Sequence, residues 1–572
     1  MGFLNTIPGA VAQGLIWGLM AIGVYISFKV LDIADLTVDG SICTGACVCA
    51  VLISNGVPAY ISIIIAFIAG AVAGTLTGLL HTVFTIPSIL AGILTQLILF
   101  SVNLKILGGK SLLPIDPRIN KLILNQLNNP LAIVVAGLII VLIIILLWKF
   151  FYTEIGLTLK STGDNPDMSR AQSVNVDLNK VIGLAISNGI VALSGALLAQ
   201  YQGFADVNMG RGAIVIGLAA IFIGLSVSLK IKPNFVVSLI GVVGGGIMYY
   251  LVYTFVIFLG LDTDLLKMLS AIIVALFLAV PSVKNKIFTK RELKNKSANN
   301  KDDAKSDEML KVCNISKTFN KGTVNEKCAL KDLSLSLKDG DFVTVIGGNG
   351  AGKSTLLNAI AGTWLVDSGK IILDGNDLSK MPEHKRAAFL GRVFQDPMKG
   401  TAPDMEIAEN LSIAARRGKR RRLLRGLPKA ERETYKSLVA QLNLGLEDRL
   451  SSKVGTLSGG QRQAITLLMA SLKRPKLLLL DEHTAALDPK TAAKVLEITD
   501  SIVEKNHLTT LMITHNMRDA IKHGNRLIMM HEGKVAVDIS GEQKKQLTIE
   551  QLLGLFEKAS GSEFTSDKGI LS

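Results

Sequence analysis

The chain has 572 residues, 49% of them hydrophobic and only 19% charged, with a formal net charge of +15. That length excludes a single ordinary domain, and a mean hydropathy of +0.43 excludes a purely soluble enzyme. The basic surplus gathers after Pro281 and from Arg416 to Arg425. Basic residues beside a membrane face anionic lipid or keep their loop cytoplasmic, so no nucleic-acid partner is expected.

The apolar residues are concentrated before about residue 283. The pattern predicts a multi-domain chain. An all-α polytopic membrane domain occupies 1–283, a charged linker 284–308, an α/β soluble domain 309–557 and a loose tail 558–572. A span takes about 20 apolar residues. Candidates are 7–28, 41–54, 59–80, 86–107, 131–148, 180–201, 212–229, 235–258 and 265–283, about nine in all. The first is too long for a cleavable signal peptide, and none is expected. The second is short and rich in Gly, Cys and Ala, which suits a re-entrant or half-buried segment. Cys43, Cys47 and Cys49 read as small membrane-core residues rather than metal ligands, and Cys313 and Cys328 as unpaired thiols. Gly70, Gly74 and Gly78 recur every four residues and predict close helix packing.

Between the first two spans stand Asp32, Asp35 and Asp39. Carboxylates near membrane depth face water, protein or a pathway, and both a capping loop and a pathway lining fit them. The polar loop 153–180 contains Asn165-Pro166-Asp167, the pattern of a helix start with Asn165 as N-cap. A short helix in such a loop suits a lever for a motor domain.

Residues 347–355 fit the phosphate-loop pattern GxxxxGK[ST] and follow the apolar run Phe342–Ile346. Gly347, Gly348, Asn349, Gly350, Ala351 and Gly352 would curl backbone amides around an anionic phosphate at a helix N-terminus. Lys353 would reach the outer phosphates of ATP, and Ser354, with Thr355 beside it, would hold Mg2+. The apolar run Leu477–Leu480 ends in Asp481 and Glu482. Asp481 would hold Mg2+, usually through water, and Glu482 would polarise the attacking water. ATP is cytoplasmic, so the last span must end inside. Counting back places 149–179 and 230–234 inside, with 108–130 and the N-terminus outside.

Leu457-Ser458-Gly459-Gly460-Gln461 opens a helix-like run and offers a second anion site. It resembles the signature of ATP-binding cassette (ABC) proteins, a resemblance that covers 309–557. It implies a P-loop NTPase fold and a head-to-tail dimer in which the phosphate loop of one copy faces Ser458–Gln461 of the other. It further implies that Phe319 stacks on adenine, Gln395 is the switch glutamine and an Mg2+ ligand, Asp488 lies in the loop crossing the dimer interface, and His515 senses the terminal phosphate. Asp481 to Asp488 and Gly445 to Leu450 are similar to the ATPases of branched-chain and aromatic amino-acid importers. Asp35 to Ser41 and Gly163 to Pro166 are similar to their permeases, especially those proposed to carry tryptophan or tyrosine with a lipoprotein partner. The resemblance implies a fused permease–ATPase half-transporter in the plasma membrane of a prokaryote. It would pair with a second copy or a related half-transporter, contact membrane lipid and import an amino-acid-like solute. Fusion is commoner among exporters of lipid, peptide or drug, the alternative reading; a membrane-anchored regulatory ATPase is a third. The helix at Pro166 is expected to dock beside Gln395. The run Arg416–Arg422 reads as a solvated surface, near lipid headgroups.

Overall fold

The apolar runs close into helices wherever about 20 such residues can satisfy their own backbone. The computed structural model describes residues 3–116, 122–228, 234–258, 308–323 and 325–560. The described residues divide into two units, each with its own core.

The first unit holds α1 (Ile7–Tyr25), α2 (Val38–Ser54), α3 (Ala59–Thr82), α4 (Ser88–Ile106) and α5 (Asn129–Phe151). Two short helices follow, α6 (Glu154–Asp164) and α7 (Pro166–Ala171), and belong to the other unit. The first unit resumes with α8 (Val176–Gln202), α9 (Ala213–Ser228) and α10 (Phe235–Phe258). Among the described residues six helices are long and apolar enough to cross a membrane, and α2 and α9 are shorter apolar ones. Eight of the nine expected spans thus have a helix; the expected span 265–283 and residues 284–307 of the expected linker lie outside the described residues, and Glu308, its last residue, already belongs to a strand. A π-helical turn, Ile26–Val30, extends α1.

Packing explains the glycines. A Cβ at Gly74 would stand 2.1 Å from the Leu184 carbonyl oxygen, and one at Gly70 2.3 Å from that of Asn188. Only glycine lets α3 close on α8 this tightly. Helix α2 does the same, where a Cβ at Gly45 would meet the Ala192 oxygen at 1.9 Å. The expected half-buried second segment is therefore an enclosed helix, with Ile42, Ala46, Cys47, Cys49 and Ala50 all without exposure.

Polar pins complete the contact. Asn188 donates to Asp35 Oδ2 at 2.6 Å and accepts from Ser41 Oγ at 2.6 Å. Asp35 Oδ1 also accepts from the Thr37 N–H. Asp39 accepts from the Gly212 and Ile214 N–H groups at 2.9 and 3.0 Å and so caps α9. Asp32 is exposed, with φ 55. The two short strands β1 (Leu112–Pro114) and β2 (Phe204–Asp206) pair antiparallel, which puts both connecting loops on one side, as the alternation of spans requires.

In the second unit, the strands β3 (Glu308–Phe319), β4 (Lys327–Lys338), β5 (Phe342–Ile346), β6 (Ser368–Leu373) and β7 (Asn376–Asp377) precede β8 (Leu390–Val393), β9 (Leu477–Asp481), β10 (Thr510–Ile513), β11 (Arg526–His531) and β12 (Lys534–Ser540). A six-stranded sheet runs β12-β11-β5-β10-β9-β8, parallel except for β11–β12, and an antiparallel sheet runs β4-β3-β6-β7. The central strand β5 is buried along its whole length, as continuous apolar strands of parallel sheets are. The last helix, Ile549–Ser560, continues three residues past the expected domain end at 557; the rest of the expected tail lies outside the described residues.

Candidate functional site: a nucleotide pocket at the strand ends

Strands β5, β9 and β10 lie side by side, so the residues that follow each of them share one edge of the sheet. Gly347–Gly352 leave β5 and turn into the helix Lys353–Ala361. Gly347 has φ 152 and Gly352 φ 98. A Cβ there would meet the Met530 and Ala329 carbonyl oxygens at 2.3 and 2.6 Å, so glycine is required for conformation and for space. Lys353 is buried and curls back, its Nζ donating to the carbonyls of Gly347 at 2.7 Å and Gly348 at 3.2 Å. The loop bounds a cavity of about 240 Å³ lined by Phe319, Asn349–Thr355, Glu482 and His515, with Lys327 and Ala329.

Glu482 leaves β9 with φ 45, a left-handed conformation that a non-glycine residue adopts at a cost. Both its oxygens are engaged: Gln395 Nε2 donates to Oε2 at 2.9 Å, and His515 Nε2 stands 2.7 Å from Oε1. The structure thus brings Gln395, Glu482 and His515 into one network. Burial pushes the neighbouring Asp481 carboxyl up to about 6, against the lowering pull of Arg392 and Lys353. Ser354, Gln395 and Asp481 offer only oxygen donors suited to Mg2+, and a buried carboxyl held up in this way gains from a cation beside it. They fit the ion. Among the described residues no cluster of three or more His, Cys, Asp or Glu could hold a metal by itself, so phosphate oxygens and water would complete the shell.

Ser458 to Gln461 do not line this cavity. Ser458 caps the helix Gly459–Leu472 in a reciprocal capping box with Gln461. Asp488 caps the helix Pro489–Asn506 through the Thr491 N–H at 3.1 Å. A Cβ at Gly460 would stand 2.0 Å from Thr491 Cγ2, so the two capped helix starts lie against each other.

Residues 330–485 match the sequence family described as ABC transporter, and residues 7–281 match the permease component of the branched-chain amino acid transport system. The tyrosine transport ATP-binding protein of Clostridioides difficile is 46% identical over 251 residues, 44% of this chain and 100% of the relative. The tyrosine transport system permease protein of the same organism is 38% identical over 276 residues, 48% of this chain and 91% of the relative. The chain belongs to the ABC transporters. The ABC transporter ATP-binding protein YxdL of Bacillus subtilis is 33% identical over 258 residues, 44% of this chain and 95% of the relative. This ABC transporter therefore joins a multi-pass permease and a soluble ATPase in one chain, related to proteins of tyrosine and branched-chain amino acid transport, and couples ATP hydrolysis to transport.

The ABC ATPase unit takes in the loop expected to belong to the membrane domain. Leu157, Met168 and Val174 share one apolar core with Ile407, Ala408 and Ile465, which is why 153–175 packs with the ATPase. Asn165 caps α7 through the Met168 N–H at 3.0 Å, and its Nδ2 donates to the carbonyls of Met398 at 2.9 Å and Thr401 at 2.7 Å. The expected docking of α7 on the segment just after Gln395 is what these bonds describe. Asp164 accepts from the Asp404 N–H, and Lys160 pairs with Glu409 at 2.9 Å.

The arginine run corrects the expectation of a solvated face. Arg416 pairs with Glu154 and Glu431 at 2.9 Å each; although burial alone would lower it, these carboxylates hold it above its ordinary range. Arg417 is 1% exposed, with its guanidinium on the carbonyls of Met469 and Lys473, and burial lowers it to about 10. Arg421 donates to the Gln172 carbonyl. The physical reason is that Glu154 and the Gln172 carbonyl, from 153–175, and the carbonyls of Met469 and Lys473 all meet this face. Of the basic residues in Arg416–Arg422, only Lys419, Arg420 and Arg422 remain exposed.

The motifs missed Trp364, whose ring meets Phe319 edge-on at 5.0 Å. They also missed Arg392, which donates to Asn358 Oδ1 and Thr363 Oγ1 and lies 4.5 Å over the Phe394 ring. No spacing rule links these residues; only the fold does.

Proposed function

We propose that this transporter imports an aromatic or branched-chain amino-acid-like solute, as a dimer of fused chains, across the plasma membrane of a prokaryote. A substrate-binding lipoprotein would deliver the solute. The observation that carries the dimer is the incomplete pocket: Asn349–Thr355, Glu482 and His515 share one cavity, and Ser458–Gln461 do not line it. A second copy facing head to tail would supply Ser458, Gly459, Gly460 and Gln461 to the terminal phosphate and bring Asp488 to the interface. The solute class is supported by the two tyrosine transport relatives, each matched over nearly its whole length.

In this reading Phe319 carries the adenine ring, and the amides of Gly347–Gly352 with Lys353 hold the phosphates. Ser354, Gln395 and Asp481 would hold Mg2+, which neutralises phosphate charge when bound. Glu482 takes the proton of the attacking water. Gln395 and His515 hold both its oxygens, so the base is free to meet water only once these contacts open. His515 then turns to the terminal phosphate. Strands β5, β9 and β10 hold these groups in place; Gln395, on a loop, is the group that moves.

Reconstitution tests this. Proteoliposomes carrying the lipoprotein and labelled L-tyrosine in the lumen, with ATPase domains outside, should release tyrosine into the medium on adding ATP. ATP-driven accumulation in the lumen would overturn import. Mixed Lys353→Ala and Ser458→Arg chains should recover activity that neither has alone; full activity of a sedimenting monomer would overturn the dimer.

A further inference from the structure

Helix α8 has 27 residues, about 40 Å at the usual rise. Asn188, near its middle, holds Asp35 and Ser41. The start of α2 therefore lies at mid-depth of a spanning helix. The segment before α9 returns to the same level: the Gly210 N–H donates to Cys43 Sγ at 3.1 Å, and Asp39 caps α9. A cavity of about 250 Å³ opens there, lined by Asp39, Gln96, Phe100, Asn103, Val207 and Arg211 among others.

Two features of this cavity point to a guest. Asn103 is 1% exposed, yet neither its Nδ2 nor its Oδ1 has a hydrogen-bond partner among the described residues. A buried amide in that condition has lost its water and gained nothing. Arg211 stands at the same cavity with no carboxylate at ion-pair distance among the described residues, so its guanidinium is open to a carboxylate brought by a guest. Asp39 accepts one N–H on each oxygen and keeps lone pairs for another donor. The lining thus carries one cation, one anion and unused amide groups beside an apolar wall.

We propose that this cavity is a solute site of the membrane unit and takes a zwitterionic α-amino acid. Arg211 meets the carboxylate. Asp39 and the amide oxygens of Gln96 and Asn103 meet the ammonium. Phe100 and Val207 border the side chain. A singly charged guest would leave either Asp39 or Arg211 without a counterpart, whereas a zwitterion matches both. The proposal rests on the amino-acid reading above and adds where the solute binds.

The test is equilibrium binding of labelled L-tyrosine to the full chain in nanodiscs. Tyramine, which lacks the carboxylate, and 3-(4-hydroxyphenyl)propionate, which lacks the ammonium, should compete at least about tenfold worse than L-tyrosine. Arg211→Gln should weaken tyrosine binding at least about tenfold and erase the preference over tyramine, and Arg211→Lys should restore part of it. Asn103→Leu should also weaken binding; Arg211→Gln, at an exposed side chain, keeps the test valid if Asn103→Leu does not assemble. Tyrosine binding within about twofold of wild type in Arg211→Gln would overturn the site and leave the transporter reading standing. Transport without any binding in nanodiscs would overturn it equally. Neither binding nor transport of any standard amino acid by the wild type would remove the amino-acid reading and this proposal together.

Discussion

In the membrane unit, Asp35 gives its oxygens to the Thr37 N–H and to Asn188, and Asp39 gives both of its own to the N–H groups that open α9. In the ATPase unit, Glu482 gives both oxygens to side chains, Gln395 and His515. Backbone N–H groups move only with their helix. A glutamine on a loop and a ring on a strand end swing by rotation about single bonds. The first arrangement fixes geometry; the second holds a reactive group in reserve. Carboxylates alike in sequence thus act as a fixture in one unit and as a releasable base in the other.

The largest effect should come from the releasable group. Glu482→Gln should cut ATP turnover by roughly 10²–10⁴-fold while leaving nucleotide binding intact, because the phosphate cradle is separate from the base. Single-turnover hydrolysis with a parallel nucleotide-binding assay measures both. Turnover close to wild type would break the comparison on the ATPase side. On the other side, Asp35→Ala leaves the Asn188 amide and the Thr37 N–H without their buried acceptor, at about 1–3 kcal/mol for each orphaned group. Detergent-solubilised protein should melt lower, with ATP binding by the folded fraction unaltered. Unchanged melting with lost transport would make Asp35 a working group rather than a fixture.

The same difference explains what the chain disclosed as sequence. Gly347–Ser354, Asp481–Glu482 and Ser458–Gln461 were legible because each is a contiguous strand–loop or loop–helix unit whose chemistry depends on local spacing. Gly70, Gly74 and Gly78 were legible as packing residues by their period, but their partners on α8 were not. Asn188, Asn103 and Arg211 gave no signal, since each acquires meaning only from residues brought beside it by the fold. Arg416, Arg417 and Arg421 misled for the same reason: a basic run reads as solvated until Glu154 and the carbonyls of Gln172, Met469 and Lys473 are placed against it.

Asp481 sharpens the comparison through pH. Its folded carboxyl lies at about 6, raised by burial, so a proton must leave before a cation can take its place. Mg2+ demand should be flat near pH 7 and rise by about tenfold per unit below pH 6, as the proton competes for the site. The sign is fixed: acid weakens Mg2+, and alkali does not. Mg2+ titrations of ATPase rate between pH 5 and pH 8 would read this. Asp481→Asn should abolish the dependence along with most activity, and a Mg2+ requirement indifferent to pH would remove Asp481 from the metal site.

The smallest effect concerns Asn165, which sits between the two kinds of contact. Its Oδ1 caps α7, as Asp39 caps α9, and its Nδ2 holds the carbonyls of Met398 and Thr401. The 153–175 loop continues in sequence into α5 and α8, so what docks it to the ATPase can pass motion along the chain. Asn165→Ala removes three neutral hydrogen bonds, each worth about 0.5–1.5 kcal/mol net, a loss large enough to shift a two-state element by about tenfold or more. ATP hydrolysis should stay within a few-fold of wild type, since no residue lining the nucleotide cavity changes, while solute moved per ATP falls. Asn165→Asp keeps the cap and loses the donor, so it should uncouple nearly as well. Lys160→Ala, which breaks only a partly exposed pair with Glu409, should change coupling much less. A pair of cysteines at Asp164 and Asp404, whose backbone and side chain meet at 2.8 Å, should crosslink in wild type and less readily in Asn165→Ala. If coupling survived Asn165→Ala while the crosslink was lost, docking of this loop would be a resting contact and not the carrier of motion.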